Sequence, residues 1–319
     1  KDESLSAFHV MLRDILTVKH PSECEFIIHA YPWKTLEQKA RRSVLIRVKC
    51  DDIEQRDEWT EAILNRLDSK LQPSEERRKL LILVNPFGGT KQGHFIWKTA
   101  EPILRLAGIE LSIRYTEYAG HAAEMVSKIQ QGSFSGIICV SGDGLVHEVI
   151  NGIMKRDDWE ECIKIPIGTI PAGSGNALAT ELNILDPISA AFSIAKGTVR
   201  PLDLLQVRQE HVPDTYSFLS VNWGIVSDVD FESEKYRFMG GARFTVGALV
   251  RVANLKYYKA KLEYIPAESV EGARQFCLTT KQCNACKAFR DRKAEADDFS
   301  GEEKIEVTKE FGEEEEHWE

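Results

Sequence analysis

Between residues 80 and 207 the chain repeats one pattern: an apolar-rich run, a glycine-bearing turn, then apolar positions recurring at helical spacing. The runs at 80–84, 110–115, 136–140 and 165–170 read as strands. Helical spacing appears at 95–106, 121–129 and 145–154, and these segments are closed by Gly108, Gly132 and the polar stretch 155–158. Strands alternating with helices predict an open α/β domain built on a parallel sheet.

The flanks read differently. Residues 24–31 and 43–50 have strand character, and Trp59, Ile63 and Leu67 fall on one stripe of a helix. Two strands followed by a helix bearing a tryptophan resemble the end of a pleckstrin-like module, so residues 1–72 read as a partial α+β segment of that kind. Lys34, Lys39, Arg41 and Arg42 lie between the strands. They suit either anionic lipid heads or a solvated loop, and the loop is the simpler reading. Pro73 and its charged neighbours mark a boundary at 72–76. From residue 267 onward the chain is charged and aperiodic, ending in the acidic run 313–316, and reads as a disordered tail.

Composition narrows the class. The chain has 319 residues, and a 43% hydrophobic content supplies at least one sizeable core. A formal charge of −9 repels polyanions, so nucleic acid is not an expected partner. Seven scattered cysteines, with no secretory signal at the start, suit reduced thiols and a cytoplasmic protein. No apolar run approaches the roughly 18 to 20 residues that span a bilayer, so membrane contact is expected to be peripheral. The first residue is Lys1, which suits a fragment or a processed form.

Three glycine-bearing segments follow expected strands: Asn85-Pro86-Phe87-Gly88-Gly89, Ser141-Gly142-Asp143-Gly144 and Pro171-Ala172-Gly173-Ser174-Gly175-Asn176. In a parallel α/β sheet the carboxyl ends of the strands line the ligand crevice, so the three turns are expected to meet. Glycine lets backbone N–H groups approach phosphate oxygens, and helix starts expected at Leu145 and Asn176 add favourable dipole ends. The chain has neither the Lys-Ser/Thr ending of a P-loop nor the glycine spacing of a dinucleotide fold. Asp143 stands between two glycines. Its carboxylate suits a base that takes a hydroxyl proton during phosphoryl transfer, although Asp-Gly alone is also ordinary turn chemistry.

The stretch from Ser141 to Gly152, Ser-Gly-Asp-Gly-Leu-Val-His-Glu-Val-Ile-Asn-Gly, closely resembles the catalytic segment of sphingosine kinases. Asn85-Pro86 with Gly88-Gly89, Thr116-Glu117 with His121-Ala122, and residues 171–178 are similar to the nucleotide loops of that family, whose catalytic domain is of the diacylglycerol kinase type. The stretch from Trp223 to Arg237 resembles its sphingosine-recognition segment. The resemblance covers residues 80–266 and implies a nucleotide-binding domain at 73–198 and a partial, mainly-β lipid-binding domain at 199–266. It implies an ATP- and magnesium-dependent lipid kinase that phosphorylates the primary hydroxyl of sphingosine or another sphingoid base.

By the same resemblance Asp143 is the catalytic base. Asn85, Pro86, Phe87, Gly88, Gly89, Thr116, Glu117, Gly120, Glu148, Gly173, Ser174, Gly175, Arg237 and Arg243 hold the nucleotide, while Ser141, Gly142, Gly144, Asp228 and Asp230 face the lipid. A carboxylate such as Asp230 would form a charge-assisted bond to the ammonium of a sphingoid base. From spacing alone, Ser227 and Asp230 equally suit a capping box. His121 and His147 lack partners at metal-ligand spacing and read as structural. Cys283 and Cys286, with Cys277 nearby, lack a second pair and carry no metal expectation.

Two departures from the family stand out. Phe87 occupies a place where relatives often carry a basic residue, for which Lys91 is a substitute. The family's Asp-Gly-Glu segment, which returns toward the magnesium, is missing from the chain. The alternatives left open are a catalytically incomplete isoform that binds a partner, and a ceramide or diacylglycerol kinase.

Overall fold

The computed structural model describes residues 10–34, 40–67, 77–88, 91–173, 175–239 and 241–258. The tail from 267 and the cysteines Cys277, Cys283 and Cys286 lie outside the described residues. Two compact units are distinguished, one of residues 12–255 and one of the two chain ends, and the described sheets and helices belong to the first.

The unit begins with an antiparallel meander: β1 (Ile15–Ser22), β2 (Glu25–Ala30) and β3 (Val44–Lys49), in the order β1-β2-β3. β1 is absent from the sequence expectation because only its first half is buried, and His20, Pro21 and Ser22 continue it as an exposed edge. Helix α1 (Ile53–Arg66) follows, capped by the Asp52 carboxylate accepting from the Gln55 N–H. Its buried face is set by Thr60 and Ile63, whereas Trp59 is exposed and does not share the stripe expected of it. Arg41 is structural. Its guanidinium reaches the Asp14 carboxylate at 2.6 Å, donates to the Tyr31 carbonyl and stacks on both Trp33 and Phe192.

The central sheet has four strands: β4 (Lys79–Val84), β5 (Glu110–Tyr115), β6 (Gly136–Ser141) and β7 (Ile167–Pro171). Every pairing is parallel and the order is β5-β4-β6-β7. Between them run α2 (Gly93–Leu106), α3 (His121–Ser127), α4 (Asp143–Met154) and the single turn α5 (Trp159–Cys162). After β7 come α6 (Ala177–Glu181) and α7 (Pro187–Lys196). Leu81, Leu83, Ile137 and Cys139 project from the sheet onto Val126, Val146, Val149 and Ile153 of α3 and α4. Helices α2 and α7 pack on each other and on β7. Complete burial of residues 81–84 removes several large aliphatic side chains from water, at about 25 cal/mol per Å² of apolar surface.

A hairpin, β8 (Leu205–Gln209) with β9 (Val212–Ser217), follows, and then α8 (Ile225–Ser233), a short 3-10 turn and α9 (Ala242–Ala253). Asn151 ties this region to α4. Its side-chain amide donates to the Tyr216 carbonyl and accepts from the Tyr216 N–H, both at 2.8 Å, so one side chain mimics a neighbouring strand.

Candidate active site

The strand order places β5 and β6 on opposite sides of β4, so successive connections leave β4 in opposite directions. In open α/β sheets such a switch point, here outside the carboxyl ends of β4 and β6, is where ligands bind. The first turn hangs from it: the Asn85 N–H donates to the Val140 carbonyl, and the Asn85 side chain accepts from the Phe87 N–H at 2.9 Å. A Cβ placed on Gly88 would lie 2.8 Å from Ser141 Oγ, so the first turn packs directly on the second.

The second and third turns touch through their backbones. A Cβ on Gly173 would lie 2.4 Å from the Gly142 Cα, and one on Gly142 would lie 2.7 Å from the Gly175 carbonyl oxygen. No side chain fits this seam, which gives both glycines a packing reason. The third turn is shaped by Asn176, whose side chain accepts from the Gly173 N–H and donates to the Gly173 carbonyl. The three segments expected to converge therefore do so.

Asp143 sits at their meeting point. It is the first residue of α4, so that helix starts two residues earlier than its apolar spacing indicates. Its two oxygens accept from the Ala177 N–H at 2.7 Å and the Leu178 N–H at 3.1 Å, at the start of α6. The carboxylate is thus held by charge-assisted bonds in one orientation, half-buried, with lone pairs left over for an incoming hydroxyl. Beside it Gly144 opens onto space, with no atom within 4 Å of a Cβ built there. Cys139, on the strand beneath, is fully buried, and burial raises its thiol well above the ordinary range, which leaves it inert as a nucleophile.

The segment from Thr116 to His121 connects β5 to α3. Thr116 is buried, with its N–H bonded to the Val84 carbonyl, and Gly120 takes a left-handed conformation (φ 88°) to start α3. The Glu117 N–H donates to His121 Nδ1, and Tyr118 stacks on the His121 ring at 4.5 Å. Glu148 accepts from the Ala122 N–H, tying α4 to the start of α3. Phe87 is 67% exposed at the rim. Gly89, Ser174 and the side chain of Arg237 lie outside the described residues.

The remaining expected residues form a separate cluster. Arg243, 6% exposed, bonds Glu234 at 2.5 Å and faces Asp230 at 3.7 Å; Arg251 pairs with Asp228 and Glu232. Ser227 and Asp230 lie inside α8, whose N-cap is Gly224, so the capping box does not form. Asp228 and Asp230 therefore neutralise arginines of α9. Sequence reasoning missed the amides of Ala177 and Leu178 as partners of Asp143 and missed Arg156 as a clamp. Arg156 holds the carbonyls of Val126, Ser127 and Ile129 while pairing with Asp158. A lone arginine after a helix carries no sequence signal for that role.

Residues 79–207, which span the sheet and its glycine turns, match the family model of the diacylglycerol kinase catalytic domain. The chain is similar to several sphingosine kinases. It is 39% identical to sphingosine kinase 1 of Arabidopsis thaliana over 72% of this chain and 48% of that protein. It is 42% identical to human sphingosine kinase 2 over 59% of this chain and 31% of that protein, and 38% identical to Arabidopsis sphingosine kinase 2 over 68% and 45%. The chain spans at most about half the length of these relatives.

Proposed function

We propose that this chain is an ATP-dependent lipid kinase that transfers the γ-phosphate of ATP to the primary hydroxyl of sphingosine or a related sphingoid base. The observation that carries the proposal is Asp143, fixed by two amides where three glycine turns meet at the sheet's switch point. Similarity to sphingosine kinases over 72% of the chain supports the lipid.

In this reading the nucleotide phosphates lie against the backbone of residues 85–89, 142–144 and 173–175, with the positive dipole end at the start of α4 facing them. Glu148, Thr116, Glu117 and Gly120 border the nucleoside side. The lipid hydroxyl approaches Asp143, which takes its proton as the oxygen attacks the γ-phosphorus; the bond to the β-phosphate oxygen breaks and ADP leaves. Magnesium enters with the nucleotide. A magnesium ion takes its ligands largely from phosphate and water with one or two carboxylates, so a preformed protein cage is not required, and among the described residues none is found.

Asp230 and Asp228 are proposed to meet the sphingoid ammonium once they exchange their arginine partners, Arg243 and Arg251, for it, and Arg243 and Arg237 are assigned to the phosphates. The proposal extends to residues 199–266 as the beginning of a lipid-binding domain and to 1–72 as a partial pleckstrin-like segment. It assigns the protein to the cytoplasm with peripheral membrane contact. The test is transfer of labelled phosphate from ATP to sphingosine by the 319-residue chain. Asp143→Asn is expected to lower the rate by about 10²- to 10⁴-fold with ADP binding retained. Equal transfer by both forms would sink the assignment, and an unaltered preference for sphingosine over diacylglycerol in Asp230→Asn would sink the role given to that carboxylate.

A further inference from the structure

Away from the glycine turns, a cavity of about 530 Å³ opens where the N-terminal meander and α1 meet α7 and the turn after α6. Its volume is that of a small-molecule site. Its lining is unusual for a chain of net charge −9: Arg13, Arg41, Arg66 and Lys196 contribute cations, and no carboxylate is found among the described lining residues. Arg41 is already paired with Asp14 and lies between the Trp33 and Phe192 rings, so it is a fixed part of the wall. Lys196 lies over the Phe192 ring, and Arg66 also donates to the Ala62 carbonyl. Ser193, Thr198 and Asn183 add short polar groups, whereas the buried Ser189 hydroxyl is already engaged, donating to Asp186 and accepting from the Arg41 N–H. The carbonyls of Ile194 and Ala195, which would otherwise give the end of α7 a negative face, are covered by Arg78.

Several cations and hydroxyls around one hollow are complementary to a phosphate ester with a small organic group. We infer that this cavity is a second ligand site, distinct from the glycine turns, that takes the phosphate of a glycerol-phosphate-type ester, either free in solution or as the headgroup of an anionic phospholipid. The site touches the catalytic region through α6. Leu182, Asn183 and Ile184 line the cavity at the end of that helix, and the Asp143 carboxylate holds its start. Five residues of helix separate the two, about 7 Å at about 1.5 Å per residue.

Binding of glycerol 3-phosphate by titration calorimetry, and of phosphatidylcholine vesicles with and without phosphatidic acid by flotation, separates the two sources. Either result, saturable binding of the free ester or flotation that requires phosphatidic acid, supports the site. Arg13→Glu is expected to weaken whichever binding is seen by about tenfold or more, and Ser193→Glu, which places an acid in the cavity from an exposed position, is expected to do the same. Neither residue belongs to the glycine turns, so ADP binding should be unchanged in both. The inference is overturned if the parent chain binds neither probe, or if both variants, melting at the parent temperature, bind as the parent does.

Discussion

The parallel-sheet unit and the α8–α9 pair bury opposite kinds of residue. In the sheet, Leu81, Ile82, Leu83 and Val84 have no exposure, and the polar chemistry is confined to the turns at one edge. In the helix pair the buried positions are Ser233, Arg243, Gly247 and Arg251, whereas Phe231, Leu249 and Val252 are 82%, 68% and 60% exposed. The first arrangement is self-sufficient: apolar burial holds the strands, and the strands hold the turns. In the second, buried guanidinium groups are held by carboxylates and the apolar side faces outward, the pattern of a surface that works against a lipid or another apolar partner. In the function proposed above, stability and substrate contact are thus carried by different parts of one chain.

That contrast can be broken at several points. The largest stability loss is expected for Arg156→Ala, which strips three backbone carbonyls at the end of α3 of their shared donor and removes an ion pair; about 3 kcal/mol is expected, measured by denaturant unfolding. Next is Gly173→Ala, where the added methyl must displace the backbone of Gly142. About 2 kcal/mol is expected, together with weakened ADP binding by calorimetry, because the strain falls on the turns themselves.

Arg251→Met should cost about 1 kcal/mol, since the carboxylates of Asp228 and Glu232 keep partial access to water. Hydrogen exchange should quicken in 225–253 and stay unchanged in β4 and β6; equal quickening in both regions would show that the two are one cooperative unit. The smallest effect concerns pH. The guanidinium of Arg156 holds the Asp158 carboxyl down to about 2. Its contribution is therefore complete above the ordinary carboxylate value of about 3.9 and is lost as pH falls toward the folded-state value. The melting-temperature gap between the parent and Asp158→Asn should close over that window.

The sheet was legible because β4, β6 and β7 are almost purely apolar and each ends at glycine or proline, so expected and observed boundaries agree to within two residues. The turns were legible because glycine marks close backbone approach before the approaching partner is known. Three kinds of feature were not. β1 and the β8–β9 hairpin carry Pro21, Pro213 and charged residues on exposed edges, so neither shows an apolar period. Trp59 follows helical spacing and still faces water, because spacing does not say which stripe is covered. The hold of α6 on Asp143 joins residues 34 and 35 positions apart through backbone amides, and amides have no letter in a sequence.

The backbone seam between Gly142 and Gly173 also bears on how the protein is made. It joins the turn after the third strand of the central sheet to the turn after the fourth, and the carboxylate of Asp143 has no amides to hold until residues 177 and 178 are in place. A nascent chain that has reached only α4 would possess the acidic residue and two of the glycine turns, yet no cradle. If the turns hold nucleotide as proposed, its capture is deferred until the last strand docks, and tight ADP retention would report that the sheet is complete.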